Sequence, residues 1–251
     1  MGKIPVAVQM YTLREESQKN FFETLKKVAE LGFDGVELAG YGGNSVLEVK
    51  EMLSKLGLKA AGNHVPLEDL QHHLIRVIKD QKILENQYIV CPFLFPHQRG
   101  EEDYKELVSL LNKAGEVCNR EGITLCYHNH DFELELLSDG RTALDTIFME
   151  TNPEYVKAEF DVYWLTKASK DPVEWLKRYK HRTPLVHLKD MTLDDEKFFA
   201  ELGTGGVNLE GVLNLGEENN VQWWIVEQDV CLQDPFESIK ISIDYLKKMN
   251  S

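Results

Sequence analysis

The chain alternates short apolar runs with longer amphipathic segments from one end to the other, and this alternation limits the folds open to it. Short runs that are apolar throughout are typical of strands buried on both faces. Segments in which apolar residues recur every three or four positions are typical of helices packed on one face. Eight strand–helix units averaging about 31 residues each match the size of a βαβ unit. Such a series is most simply closed as a (β/α)8 barrel.

The boundaries of these segments follow from turn and capping residues. Gly32 and Gly57 each follow an amphipathic run and are typical of helix ends, while Asp171 and Asp234 each precede a proline and are typical of helix starts. The predicted strands are 5–12, 33–40, 58–64, 87–93, 123–130, 155–162, 183–190 and 221–229. The predicted helices are 21–32, 44–57, 66–86, 101–122, 139–152, 171–182, 208–219 and 234–249.

The length of 251 residues fits one α/β domain, a TIM barrel spanning residues 1–251. The rival fold, an open doubly wound sheet, usually carries a glycine-rich dinucleotide turn after its first strand. Here the first predicted strand is followed by TLREES, and the GTGG segment at 203–206 follows no predicted strand. No linker-like or low-complexity stretch divides the chain, so a single barrel is favoured.

The composition excludes some function classes. The formal net charge is −14, with 42 acidic against 28 basic residues, so the surface as a whole repels a phosphate backbone and nucleic acid is a poor partner. No apolar stretch approaches the length of a membrane span. The N-terminal sequence MGKIPVAVQMYT lacks the layout of a secretion signal, and we therefore expect a cytoplasmic protein.

Residues that bind divalent cations stand at the ends of four successive predicted strands. They are Glu133, Asp161, His187 and Glu227. The active sites of parallel barrels lie at the carboxyl ends of the strands, so we expect these four side chains to converge. Carboxylates and an imidazole together suit one Mn²⁺, Mg²⁺, Co²⁺ or Zn²⁺ ion. One strand-end carboxylate is commonly only a helix cap, but four ligand-type residues on four strands favour a metal site.

Other polar side chains are predicted at the same end of the barrel. Burying so many polar groups in one layer is costly unless a metal and a polyol ligand satisfy them. Lys189 follows His187 by two residues on the same strand face and is a candidate for stabilising an enolate, although it could equally pair with Asp190 in a loop. The candidate substrate-binding residues are Glu37, His64, His128, His130 and Trp164.

The strand-five ligand is not decided by the residues alone. By alternation, His128 and His130 share one strand face, and if that face is the inner one, His130 competes with Glu133 for the ligand position.

The segments VQMYTLREE, FDGVELAG, YHNHDFE, FDVYW, HLKDM and IVEQD resemble the xylose-isomerase-like sugar phosphate isomerase/epimerase superfamily over nearly the whole chain. The resemblance implies a TIM barrel with one divalent metal, held in the ketose 3-epimerases by Glu, Asp, His and Glu. It favours Glu133 over His130 as the first ligand, and it carries Asp161, His187 and Glu227 over directly. It also implies that Glu133 and Glu227 move the proton on the two faces of the substrate carbon.

Three kinds of function follow as expectations. The first is a metal-dependent isomerase or epimerase of a sugar or keto-sugar, in which a carboxylate moves the proton beside a carbonyl. YHNHDFE is more histidine-rich than the epimerase motif and is similar to inosose dehydratases, which keeps open a lyase acting on a keto-inositol or 3-keto-glycoside. The third is a non-catalytic sugar-binding protein. The superfamily also includes DNA-repair endonucleases, which the charge of −14 argues against. No surface pattern decides whether copies form a homo-oligomer.

Overall fold

Eight parallel strands close into a barrel in a computed structural model that describes residues 4–249. The predicted TIM-barrel fold is thereby confirmed. Around the barrel the strands follow chain order, and the last barrel strand pairs with the first. The barrel strands are β1 (Val6–Gln9), β2 (Gly35–Leu38), β3 (Lys59–His64), β4 (Tyr88–Cys91), β5 (Thr124–His128), β6 (Val156–Asp161), β7 (Leu185–Leu188) and β10 (Trp223–Val226).

Helices cover the outside of the barrel. Several have the predicted caps: the Asp171 side chain accepts a hydrogen bond from the Val173 N–H, and Gly32 and Gly57 end their helices in the left-handed region at φ 85° and 71°. The helices are α1 (Arg14–Leu31), α2 (Val46–Leu56), α3 (Leu67–His72), α4 (Leu74–Leu84), α5 (Glu101–Arg120), α6 (Ala143–Glu150), α7 (Val162–Lys167), α8 (Pro172–Arg178), α9 (Leu209–Leu213) and α10 (Pro235–Met249).

The barrel interior is divided into an apolar half and a polar half. Inward side chains near the amino ends of the strands form a small buried cluster that includes Ala7, Tyr88, Leu185 and Ile225. A much larger apolar core fills the space between the strands and the helices. Polar side chains occupy the interior near the carboxyl ends of the strands. The apolar half closes the barrel from below, so a ligand reaches the polar half only from the carboxyl end.

Two predicted helices differ from the structure. The segment 66–86 is broken into α3 and α4 at His73, whose φ of −130° and ψ of 18° are not helical. No glycine or proline marks that break, so the periodicity alone did not reveal it. The segment predicted as helix 208–219 forms only the short α9, which ends after one turn at Leu213.

A short antiparallel pair that the sequence did not predict follows β7. It consists of β8 (Asp190–Met191) and β9 (Phe199–Ala200). The Asp190 carboxylate organises the GTGG loop beyond it: Oδ2 accepts from the N–H groups of Gly203 and Gly205, and Oδ1 from Val207, each at 3.0 Å. These loop N–H groups therefore already bind a carboxylate of the chain itself.

Among residues 4–249, no helix combines the length and the apolar character that a bilayer span requires.

Replacing Asp190 with Asn should destabilise the fold by about 3 kcal/mol, because hydrogen bonds to a charged acceptor are worth about 1.5–3 kcal/mol each. The Asn side chain has one acceptor oxygen, and its NH₂ group would face N–H donors of the loop. Urea denaturation of the variant measures the loss. Asp195→Asn, at an exposed position of the neighbouring loop, is the matched control. Equal stability of both variants would contradict this role of Asp190.

Candidate metal centre and pocket

Polar side chains from β5, β6 and β7 come together at the carboxyl ends of these strands. His128 is paired in register with Glu159, and Asp161 is paired with His187. Registered residues of neighbouring parallel strands point to the same side of the sheet, and Glu159 and Asp161 share a face because they are two residues apart. All four side chains are buried and line the inner face of the barrel.

Glu37 on β2 lies between two imidazoles. Its Oε2 is 2.6 Å from His187 Nε2 and 3.1 Å from His64 Nε2, and it also accepts a hydrogen bond from the Gln9 amide at 2.8 Å. A Cβ atom at Gly62 on the adjacent strand would lie 2.3 Å from Glu37 Oε1, so only glycine leaves room for this carboxylate. Glu37 is thus held by partners from three other strands.

Glu159 on β6 lies among three imidazole side chains. Its Oε2 is 2.9 Å from His64 Nε2, 3.1 Å from His128 Nδ1 and 3.3 Å from His187 Nε2. Its other oxygen, Oε1, is buried without a hydrogen-bond partner. Because an unpaired buried carboxylate oxygen is costly, this oxygen is suited to receive a cation or a ligand donor.

Lys189 lies under the pocket with its ammonium group surrounded by carboxylates. Its Nζ is 2.9 Å from Asp161 Oδ2, 2.6 Å from Glu227 Oε2 and 2.7 Å from Asp229 Oδ2. The side chain is almost completely buried, and its ammonium group pairs with these three carboxylates inside the barrel. Lys189 therefore points into the barrel and does not form the loop pair with Asp190 that was the alternative.

Two overlapping groups of side chains within the described residues could hold a metal ion, each with ligand atoms within 4.8 Å of one another. One group contains His64, His128, Glu159 and His187, and the other contains His128, Asp161, His187 and Glu227. Asp161 Oδ2 is buried and forms no hydrogen bond of good geometry, although Lys189 Nζ lies 2.9 Å away. The second group, with two imidazoles and two carboxylates, fits a borderline divalent ion.

Glu133 is the one predicted ligand that the structure does not bring to this cluster. It lies in a 3-10 helix at Phe132–Leu134, after β5 has ended at His128. Its carboxylate accepts a hydrogen bond from the Tyr127 hydroxyl and another from the His130 N–H, both at 2.8 Å. Tyr127 alternates with the inward His128 and therefore points to the outer face of the sheet, which directs Glu133 away from the other three predicted ligands. The strand-five member of the cluster is His128 instead.

The two imidazoles nearest the pocket have opposite protonation preferences. Burial lowers the pKa of His64, but the carboxylates of Glu37 and Glu159 outweigh it and raise the pKa to about 10, so this imidazole holds a proton. Burial, together with neighbouring imidazoles and Lys189, lowers the pKa of His128 well below its usual range. A neutral His128 has a lone pair free for a metal ion.

Burial also perturbs the carboxylates of β6. It raises the pKa of Asp161 to about 6 and that of Glu159 to about 7, with Glu37 adding a like charge beside Glu159. Further positive charge would be needed to keep both groups ionised at neutral pH. A divalent cation would supply such charge, which is the second respect in which the residues fit a metal.

A cavity of about 910 Å³ opens above the cluster. Of the candidate site residues, His64, His128, His130, Trp164 and Glu227 line it. The other members of the cluster lie beneath this surface, and they are Glu37, Glu159, Asp161, His187 and Lys189. The cavity therefore presents a few cluster residues to a ligand, with the buried charged groups directly behind them.

Three residues of the network were not among the predicted site residues: Gln9, Glu159 and Asp229. Glu159 had a sequence signal, because it precedes Asp161 by two residues and so shares its strand face. Asp229 likewise follows Glu227 by two residues. No comparable spacing distinguishes Gln9.

The protein is therefore a TIM barrel with candidate metal ligands at the carboxyl ends of its strands. Within that class, the chain belongs to the xylose isomerase-like TIM barrel family, whose sequence profile matches residues 25–249.

Several known proteins are similar to this chain. An inosose dehydratase of Clostridium beijerinckii is 27% identical over 218 residues, which cover 79% of this chain and 67% of that protein. A sugar phosphate isomerase/epimerase of Parabacteroides distasonis superposes with a TM-score of 0.84 at 26% identity, covering 97% of both chains. The IOLI protein, solved with a bound zinc atom, has the same fold with a TM-score of 0.78 at 15% identity, covering 98% of this chain and 97% of that one.

Glu133→Gln should make the stability of the protein less dependent on pH. Burial raises the pKa of Glu133 from 4.5 to about 7, so the folded state binds this proton more tightly than the unfolded state. The resulting contribution to stability is complete below about pH 4.5 and is lost as the pH rises through about 7. Between pH 5 and pH 8 the variant should therefore gain about 2.5 kcal/mol relative to the wild type, at about 1.4 kcal/mol per pKa unit.

Urea denaturation at both pH values measures this difference. Glu106→Gln, at an exposed position of α5, is the matched control and should follow the wild type. If Glu133→Gln also follows the wild type, the carboxylate is not buried as described.

Proposed function

We propose that this protein is a divalent-metal-dependent lyase that removes a leaving group from a small polyhydroxylated ketone, such as water from a keto-inositol. The observation that carries the proposal is the buried group of His128, Asp161, His187 and Glu227 beneath an open pocket. The similarity of this chain to relatives named inosose dehydratase supports elimination as the reaction type.

His128, Asp161, His187 and Glu227 would hold the metal ion. The two imidazoles favour Zn²⁺, Co²⁺ or Mn²⁺ over Mg²⁺, which prefers oxygen ligands. Glu159, Glu37 and Glu227 raise the pKa of His187 well above its usual range, so metal binding would release a proton from it. When bound, the ion would polarise a substrate oxygen and acidify the C–H bond next to the carbonyl.

Glu227 is the proposed base. It lines the pocket, and Lys189 and His187 outweigh burial and lower the pKa of this carboxyl well below its usual range. It is therefore ionised and available to take the proton from the carbon beside the ketone. The Lys189 ammonium, 2.6 Å from Glu227 Oε2, supplies positive charge where the negative charge of the enolate develops.

His64 is the proposed acid. Elimination requires a proton for the departing oxygen, and His64 holds one because two carboxylates raise its pKa to about 10. It lines the pocket from β3, whereas Glu227 follows β10. A proton-holding acid and an ionised base on different strands match the two proton transfers of an elimination.

A second candidate is an isomerase or epimerase, which would share the first proton abstraction. The similarity to a protein named sugar phosphate isomerase/epimerase favours it. Proton exchange on both faces of the substrate carbon by Glu133 and Glu227 is less well supported, because the Glu133 carboxylate is bound to Tyr127. A non-catalytic sugar-binding protein is the remaining alternative. A cytoplasmic location and the absence of a nucleic-acid partner stay predictions from the sequence.

Glu227→Gln should lower turnover by about 100-fold or more, because a positioned acid or base contributes about 10²–10⁴-fold to rate. The assay incubates Mn²⁺-loaded protein with an inosose and follows the loss of water by NMR, with EDTA-treated protein as a blank. Glu210→Gln, in the first turn of α9, is the matched control and should keep full turnover.

Three other results of this assay would change the proposed function or the proposed role of Glu227. A new stereoisomer without loss of water would favour the epimerase. Metal binding without turnover of any ketone or keto-sugar would favour the sugar-binding protein. Unchanged turnover in Glu227→Gln would remove the role proposed for this carboxylate.

A further inference from the structure

The cavity is larger than a single sugar ring or cyclitol requires. Its volume of about 910 Å³ is close to the upper end of the range of about 300–1,000 Å³ that is typical of clefts for drug-sized ligands. One six-membered polyol above His128 and Glu227 would leave much of this space to water. The remaining space has its own chemistry, which indicates what else the substrate carries.

One side of the cavity is an aromatic wall, formed by Phe93, Phe95, Phe132 and Arg99, all of which line it. The Phe93 ring is in edge contact with those of Phe95 and Phe132, at centroid distances of 5.6 and 5.8 Å. Phe93 and Phe95 are 37% and 59% exposed, which is unusual for side chains of this size. Exposed aromatic faces inside a concave site are typical of binding surfaces for flat apolar groups.

Arg99 holds this wall in place. Its guanidinium lies 3.5 Å from the centre of the Phe132 ring and 5.1 Å from that of Phe93. It also donates two hydrogen bonds to the Leu94 carbonyl, at 3.0 Å from Nε and 2.8 Å from Nη2. Phe93 and Phe132 are thus held by cation–π contacts with an Arg99 that is itself bound to the backbone, so little side-chain entropy would be lost when a ligand packs against this part of the aromatic wall.

His130 lies between the aromatic wall and His128 of the candidate metal-binding cluster. Its ring centre is 5.1 Å from that of Phe93 and 5.0 Å from that of His128. Its Nδ1 atom and the indole Nε1 of Trp164 are buried in the pocket lining without hydrogen-bond partners. Unpaired buried polar atoms between a polar cluster and an aromatic surface are suited to a ligand whose hydroxyl-bearing ring continues into an apolar group.

We infer that the substrate is a polyhydroxylated cyclic ketone with an O-linked planar aromatic group, and that this group is what leaves. The inference rests on the proposed function and names its substrate class. The polyol ring lies over the cluster, and the aromatic group packs against the aromatic wall. The base takes the proton from the carbon next to the ketone, the adjacent C–O bond to the aromatic group breaks, and its electron pair leaves with the oxygen. His64 donates the proton that makes the leaving group a phenol, and the product is an unsaturated ketone with no net oxidation or reduction.

The test compares the binding of phenyl glucoside and methyl glucoside, neither of which has a ketone to react. Isothermal calorimetry with the Mn²⁺-loaded protein should give a dissociation constant about tenfold lower for the phenyl compound. In the Phe93→Ala/Phe95→Ala variant the preference should fall below about threefold, because the exposed part of the aromatic wall is gone. Both positions are exposed, so the variant should keep the fold, which circular dichroism checks. Met149→Ala, an exposed position of α6 outside the pocket lining, is the control.

Equal binding of the two glucosides, no detectable binding of phenyl glucoside, or an unchanged preference in the double variant would each overturn the aromatic subsite. None of these outcomes bears on turnover of an inosose, so the proposed lyase can stand when the subsite falls. A phenyl preference together with a failure to act on any ketone would remove the lyase and, with it, the assignment of the aromatic group as the leaving group.

Discussion

The compensation of buried negative charge is the constraint on which the site depends. Five carboxylates converge inside the carboxyl end of the barrel, and they are Glu37, Glu159, Asp161, Glu227 and Asp229. Bringing them out of water is costly unless cations are close. Lys189 and the protonated imidazoles of His64 and His187 provide part of this charge, and the raised pKa values of Asp161 and Glu159 indicate that it is not sufficient for full ionisation. A site arranged in this way is suited to a divalent cation.

The same charge arrangement supports the proposed elimination. Lys189 keeps Glu227 ionised, and the carboxylates around His64 keep that imidazole protonated, so the proposed base and the proposed acid each have the required protonation state at neutral pH. The barrel supplies the rigidity that this requires, because His64 lies on β3 and because Lys189 and Glu227 directly follow β7 and β10. In this proposal, the volume and the aromatic wall of the pocket above select the substrate that reaches these groups.

The fold could be predicted from the sequence because the strand and helix periods differ and alternate eight times. The prediction was incomplete where no local signal marks a change, as at His73 between α3 and α4 and in the pair β8–β9. At the site, Asp161, His187 and Glu227 converge as expected because each stands at or just beyond the end of its barrel strand. Glu133 does not, because the chain leaves β5 after His128 and turns into a 3-10 helix, where strand alternation no longer says which way a side chain points. Alternation within β5 itself already placed His128 on the same face as His130.

Metal analysis of two variants distinguishes His128 from Glu133 as the strand-five ligand. The wild type, His128→Gln and Glu133→Gln are each saturated with Zn²⁺ or Mn²⁺, freed of excess ion and analysed by mass spectrometry. The expected result is about one ion per chain in the wild type and in Glu133→Gln, and much less than one in His128→Gln, because the loss of one ligand weakens metal binding. Loss of the metal from Glu133→Gln with full retention in His128→Gln would contradict the assignment of His128.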